Sequence, residues 1–184
     1  MGDQEEDQDQ VGLARAILLD GFGRIEEGVR DVVDGLTPQD LTWQPVPGAN
    51  PVGWLVWHLS RQQDAQLAQV AGMDQVWHSG GWHERLDLPY SPDEMGYGQD
   101  PEQVARFRVE DPALLVGYAE AVANLSRRLL EGLGPADYER IIDESWDPPV
   151  TVATRVYSVL EDSAKHLGQA EYLVGLLRRE RGLG

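Results

Sequence analysis

Asp162 and His166 place a carboxylate and an imidazole four residues apart in SVLEDSAKHLGQAEYLVGLL. On a helix this spacing stacks the two side chains on one face, within reach of a single ion. A third group of the same chemistry, His58, lies in NPVGWLVWHLSRQQDAQLAQVAG. Two imidazoles and a carboxylate can close around a divalent cation and leave a coordination position open, or they can satisfy one another as a hydrogen-bonded core cluster. The chain has no cysteine, which excludes disulfides, iron–sulfur clusters, cysteine nucleophiles and thiolate zinc sites. Any metal must therefore sit on His, Asp or Glu.

Helical phase separates these residues from their neighbours. Turning about 100° per residue from Val152, the side chains of Val156, Val159, Leu167, Ala170, Val174 and Leu177 gather on one side, and Glu161, Lys165 and Arg179 fall opposite. Asp162 and His166 land about 40 to 80° from the reference, between Val159 and Leu173, facing inward or nearly so. His58 falls at the edge of the stripe formed by Leu55, Leu59 and Val70. An inward carboxylate needs a partner or a metal, because burying it alone costs several kcal/mol. His78 and His83, in GMDQVWHSGGWH, are expected as solvated loop residues, since Gly80-Gly81 gives them no fixed geometry.

The elements that must position these groups are helices. Apolar residues from Leu13 to Val33 recur at three- and four-residue steps, which predicts a first helix near 11–35 with Gly21 and Gly23 weakening its middle. Thr37-Pro38 predicts a capped short helix over 38–41. Asn50-Pro51 opens a second long helix that stops at Gly72, a third runs over about 112–131, and a fourth over about 151–179 after Pro148-Pro149. Residues 73–111 are rich in Gly and Pro and are expected as a long irregular connection interrupted by short helical turns. No strand pattern and no internal repeat stands out. The predicted class is all-α, a four-helix bundle, in which sites are built from side chains on facing helices.

Composition narrows the partners. The 184 residues suit one domain, residues 11–184, preceded by an acidic tail over 1–10 that cannot bury enough apolar surface to order itself. With 32 acidic against 15 basic side chains and a net charge of -17, nucleic acids and anionic membranes are disfavoured as partners. Neither a secretory leader nor an apolar run long enough to span a bilayer is evident, so a cytoplasmic protein is expected, with homodimerisation open. Only one of the 15 basic residues is a lysine, a bias common in GC-rich genomes.

The second-helix segment quoted above, the Trp/Gly-rich connection, WDPPVT and SVLEDSAKHLGQAEYLVGLL together resemble the DinB-like superfamily, within it the N-terminal type of the mycothiol-dependent maleylpyruvate isomerases. The resemblance extends from about Val11 to Arg179 through short motifs. It implies a four-helix bundle carrying a divalent metal on a His of the second helix and a His-x-x-x-His or Glu-x-x-x-His pair of the last. Carried onto this chain, those positions are His58, Asp162 and His166, with Asp162 standing where the pattern has Glu. The sequence is expected to end with the bundle, without the isomerase's further C-terminal domain.

The resemblance further implies zinc, with nickel as the alternative, and mycothiol as a thiol cosubstrate. Because the chain lacks cysteine, thiol chemistry would use a thiol brought in by that cosubstrate, and the expected activity is S-transfer to, or isomerisation of, a small electrophile. Candidate substrate contacts at the bundle mouth are Trp54, Trp57, Arg61, Trp146 and Arg155, where indoles could stack and guanidinium groups grip a carboxylate. Gln169, one turn after His166, is a candidate for orienting a ligand. The alternatives are a non-catalytic metal-binding or stress-related bundle and a metal-dependent hydrolase.

Overall fold

A computed structural model describes residues 2–182, with side chains from Gln10 onward. Four long helices dominate: α1 (Gly2–Val33), α3 (Val52–Ala71), α7 (Ala113–Gly132) and α9 (Val152–Glu180). Between them lie α2 (Pro38–Leu41), α4 (Val76–Ser79), α5 (Trp82–Leu86), α6 (Pro101–Val104) and α8 (Pro135–Glu139). The all-α bundle is thus observed, and α4, α5 and α6 are the short turns expected to interrupt residues 73–111. Two expectations are corrected. The first helix begins at Gly2, so the backbone of residues 2–10 is helical. How the side chains of residues 1–9 pack lies outside the described residues. A small antiparallel ribbon, β1 (Ile141–Asp143) with β2 (Val150–Thr151), was also not anticipated. Strands of three and two residues are too short to leave a period.

Helix ends follow local chemistry. Thr37 caps α2 in a reciprocal box with Asp40, and Thr151 caps α9 by accepting from the Thr154 N–H. Helix α3 starts one residue later than the Asn50-Pro51 reading, with Pro51 itself as the extended cap, and ends at Gly72 in the left-handed conformation.

Side-chain pairs fix the helix directions. Gln62 reaches Ser163 and Gln66 pairs with Arg155, so α3 and α9 run antiparallel. Arg30 meets Glu120 while Arg127 meets Glu26, which makes α1 and α7 antiparallel. Gly21 lies under Leu160 and Gly28 under Leu167, so α1 and α9 are parallel. It follows that α3 and α7, which pack side by side, point the same way. Two parallel neighbours need a crossover running back along the bundle, and residues 72–112 are that crossover.

Candidate metal centre

The groove between α3 and α9 brings His58, Asp162 and His166 together. One ligand atom from each lies within 4.8 Å of the other two. His58 is buried, at 7% exposure, whereas the His166 and Asp162 side chains are 18% and 41% exposed. The helical phase is therefore right in direction and too deep in degree: α9 presents its pair at the bundle edge, where solvent can reach one side.

Both imidazoles are held by the nitrogen that faces away from the cluster. His58 Nδ1 donates to the Met95 carbonyl at 2.5 Å, and His166 Nδ1 to Gln169 Oε1 at 3.0 Å. A carbonyl or amide oxygen only accepts, so each Nδ1 carries the proton and each Nε2 keeps its lone pair, the tautomer a metal needs. His166 Nε2 is 3.7 Å from Asp162 Oδ1, and the two imidazole rings meet edge to face with centroids 4.8 Å apart. Burial lowers the pKa of His58, outweighing the Met95 contact, and so favours the neutral form that ligates. Three donors at about 2.1 Å from a tetrahedral ion stand roughly 3.4 Å apart, so modest side-chain motion would close the set.

The loop after α5 completes the support for His58. Trp54 stacks on its ring at 4.7 Å and 15°, and donates from Nε1 to Gln99 Oε1 at 2.8 Å, while Gln99 bonds Glu94. Gly96 passes so close, at φ +88°, that a Cβ there would sit 2.9 Å from His58 Nδ1. On the α9 side, Gln169 Oε1 is the group that meets His166 Nδ1.

The substrate candidates divide. Arg155 and Arg61 line an open cleft of about 540 Å³ together with Gln66, Gln69, Gln75, His78 and Met95; none of the three donors lines it, and Met95, whose carbonyl bonds His58, is the link between cleft and cluster. Arg155 is two turns before Asp162 on the same stripe of α9, about 10 Å along the axis. Arg61, though, is only 1% exposed and is engaged inside the fold, bonding Gln75, the Glu94 carbonyl and Tyr118, 3.8 Å from Asp64. Trp57 is buried against Tyr90 and Phe107, and Trp146 is exposed in the turn that joins β1 to β2. The Trp57 ring edge reaches Gly96 beside His58, where a Cβ would meet Trp57 Cζ3 at 3.0 Å. Gly80-Gly81 separates two short helices that carry His78 and His83, so neither is a loop residue; His78 is solvent-exposed as expected, whereas His83 is partly buried with Nδ1 on the Trp77 carbonyl.

Sequence reasoning missed the polar groups behind the cleft. Asp64 is fully buried, accepts the Val76 and Trp77 N–H groups and the Tyr118 hydroxyl, and ties α3 to α4 and α7. Burial pushes its carboxyl up, opposed by these donors and by Arg61. The Tyr118 hydroxyl is raised well above its usual value, first by burial and then by the Asp64 charge.

A four-helix bundle with a His–Asp–His cluster in one inter-helical groove is the class that fold and site define together. The DinB superfamily profile matches residues 22–170, a span that includes all three cluster residues, and the chain belongs to that superfamily. A crystal structure of a conserved protein from Enterococcus faecalis is similar at 28% identity and a TM-score of 0.81, covering 86% of this chain and 94% of that one. No curated protein sequence matches.

Proposed function

We propose that His58, Asp162 and His166 hold a divalent metal ion, zinc before nickel, and that the protein is a metal-dependent S-transferase or isomerase-like enzyme acting on a small electrophile. The observation that carries this reading is the convergence of three donors whose two imidazoles are both fixed in the metal-ready tautomer. A bound divalent ion would lower the pKa of a thiol or water that reaches it. The thiol would be a cosubstrate of mycothiol type, because the chain supplies none. Reduced low-molecular-weight thiols belong to the cytoplasm, where the protein is proposed to act.

The remaining roles fall to residues of the groove. Asp162, the more exposed donor, would leave the solvent side open for the incoming thiol. Arg155 would grip an acidic group of the electrophile or thiol in the cleft, its guanidinium already turned toward Gln66. Arg61, fixed by its buried partners, would hold the wall of that cleft in place. The test is elemental analysis of untagged protein, followed by thiol-conjugation assays with simple electrophiles. One equivalent of metal and thiol-dependent turnover are expected, and His166→Ala should lose both with its helical circular dichroism intact. Metal retained without turnover of any thiol would move the reading to a metal-binding bundle, and thiol-independent hydrolysis would move it to a hydrolase.

A further inference from the structure

On the other side of the cluster from Arg155, a shallow depression of about 280 Å³ lies between α3 and α9, lined by Asn50, Leu55, Gln169, Tyr172 and Leu173. Its place follows from the helix directions. Because α3 and α9 run antiparallel, the turn before His58 and the turn after His166 lie at the same end of the cluster. Leu55 stands three residues before His58 and Gln169 three after His166, so each is about 4.5 Å along its helix axis from an imidazole. Gln169 joins cluster and depression, since its Oε1 meets His166 Nδ1 and the same residue lines the depression.

The two sides of the cluster differ in chemistry. The Arg155 cleft carries Arg61, His78 and Asp93 as well, whereas no charged side chain lines the depression, on a chain in which 26% of the residues are charged. Leu55 and Leu173 belong to the core and form the floor. The surface a ligand meets is the Tyr172 side chain, 68% exposed, with the neutral amides of Asn50 and Gln169 beside it. A lone exposed tyrosine is ordinary on a protein surface. Tyr172 is set apart by its place, about 9 Å along α9 from His166 and on the uncharged side of three convergent donors. An ion entering there would lose hydration and meet no opposite charge. An aryl or alkyl group would instead take its own apolar surface and that of Tyr172 out of water.

We infer, resting on the reading of the cluster as a metal centre, that this depression is the subsite for an uncharged aryl or alkyl end of the electrophile. The reacting end lies at the cluster and the far end on Tyr172. The Arg155 cleft, on the opposite side, is thereby left to the thiol.

The probe for the site alone is 4-phenylbutanamide, titrated at moderate salt into the full-length protein freed of metal. Its charged counterparts are 4-phenylbutanoate and 4-phenylbutylammonium, and the readout is the side-chain amide resonances of Asn50 and Gln169. The amide should shift both saturably at millimolar concentration, and each charged counterpart should bind several-fold more weakly, the cation included despite the net charge of -17. Tyr172→Ala, at an exposed position of α9, should weaken the amide several-fold with helical circular dichroism unchanged. The probe for the link to the metal is 4-phenylbutanohydroxamic acid, set against acetohydroxamic acid on zinc-loaded protein by calorimetry. The phenyl-bearing acid should bind about tenfold tighter, and Tyr172→Ala should remove that advantage. No saturable shift at tens of millimolar amide, a charged counterpart that binds as tightly as the amide, or two hydroxamates of equal affinity would overturn the inference. Binding of the amide with neither hydroxamate bound would count against the metal and leave the subsite supported.

Discussion

At Gly96 the metal reading depends on a residue with no functional group. Its backbone turns at φ +88° to press the Met95 carbonyl onto His58, and a Cβ would stand 2.9 Å from both His58 Nδ1 and Trp54 Cζ2. Gly96→Ala is therefore expected to displace the carbonyl and weaken zinc binding about 10- to 100-fold while the helices survive, measured by competition with a chromogenic chelator. Unchanged affinity would mean that Met95 does not set the His58 tautomer. A second comparison tests the ligands themselves. Asp162→Ala should abolish metal retention, whereas Glu161→Ala, which loses only an ion pair to Lys165 one turn on, should keep it. The three donors were legible because residue type and helical spacing are written in the sequence. Met95 was not, since every residue type offers a carbonyl and only the path of the loop decides which one arrives.

The helices show where periodicity stops informing. On α9 one stripe is buried and the opposite side is exposed, so the phase of Asp162 and His166 could be computed. Helix α3 is buried on every face from Val52 to Asp64, so its polar residues leave no contrast to read. Gln62, Gln63 and Asp64 are all inside, bonded to Ser163, Ser126 and the α4 backbone. Removing one partner of such a set strands the others. Asp64→Ala should cost about 3–5 kcal/mol in chemical denaturation, with Asp64→Asn milder because its amide oxygen still accepts. The glycines of α1 give a contrast of opposite sign. Gly21 was read as a weak point of the helix, yet Leu160 fills the space beside it, and Leu167 comes within 2.5 Å of a Cβ at Gly28. Gly28→Ala should lower the melting temperature by pushing α9 away. Gly23 has nothing within 4 Å, so Gly23→Ala should raise stability by about 0.8–1 kcal/mol through helix propensity alone.

Charge acts on the whole molecule. At -17 the folded chain repels itself, and moderate salt should raise its melting temperature, while duplex DNA should show no shift in a gel at physiological ionic strength. Within this excess of acid, Asp40 is the carboxylate whose loss is most informative, because it joins two distant parts of the chain. It is 1% exposed, caps α2 through the Thr37 N–H and hydroxyl, and pairs with Arg181 just past the end of α9. Burial alone would raise its pKa, but the Thr37 donors and Arg181 outweigh that and hold the carboxyl below its ordinary value. A carboxyl depressed in the fold stabilises it fully at pH above the unfolded value of about 3.9, and that contribution is lost as pH falls through the folded value. Asp40→Asn should therefore melt well below the parent at pH 6, and the gap should begin to narrow as pH drops below about 4 and close only below the lowered folded value, where the folded parent's own carboxyl takes up its proton. A gap that persists undiminished at lower pH would assign the stabilisation to the shape of the side chain, and the link between α2 and the end of α9 would then be one of packing.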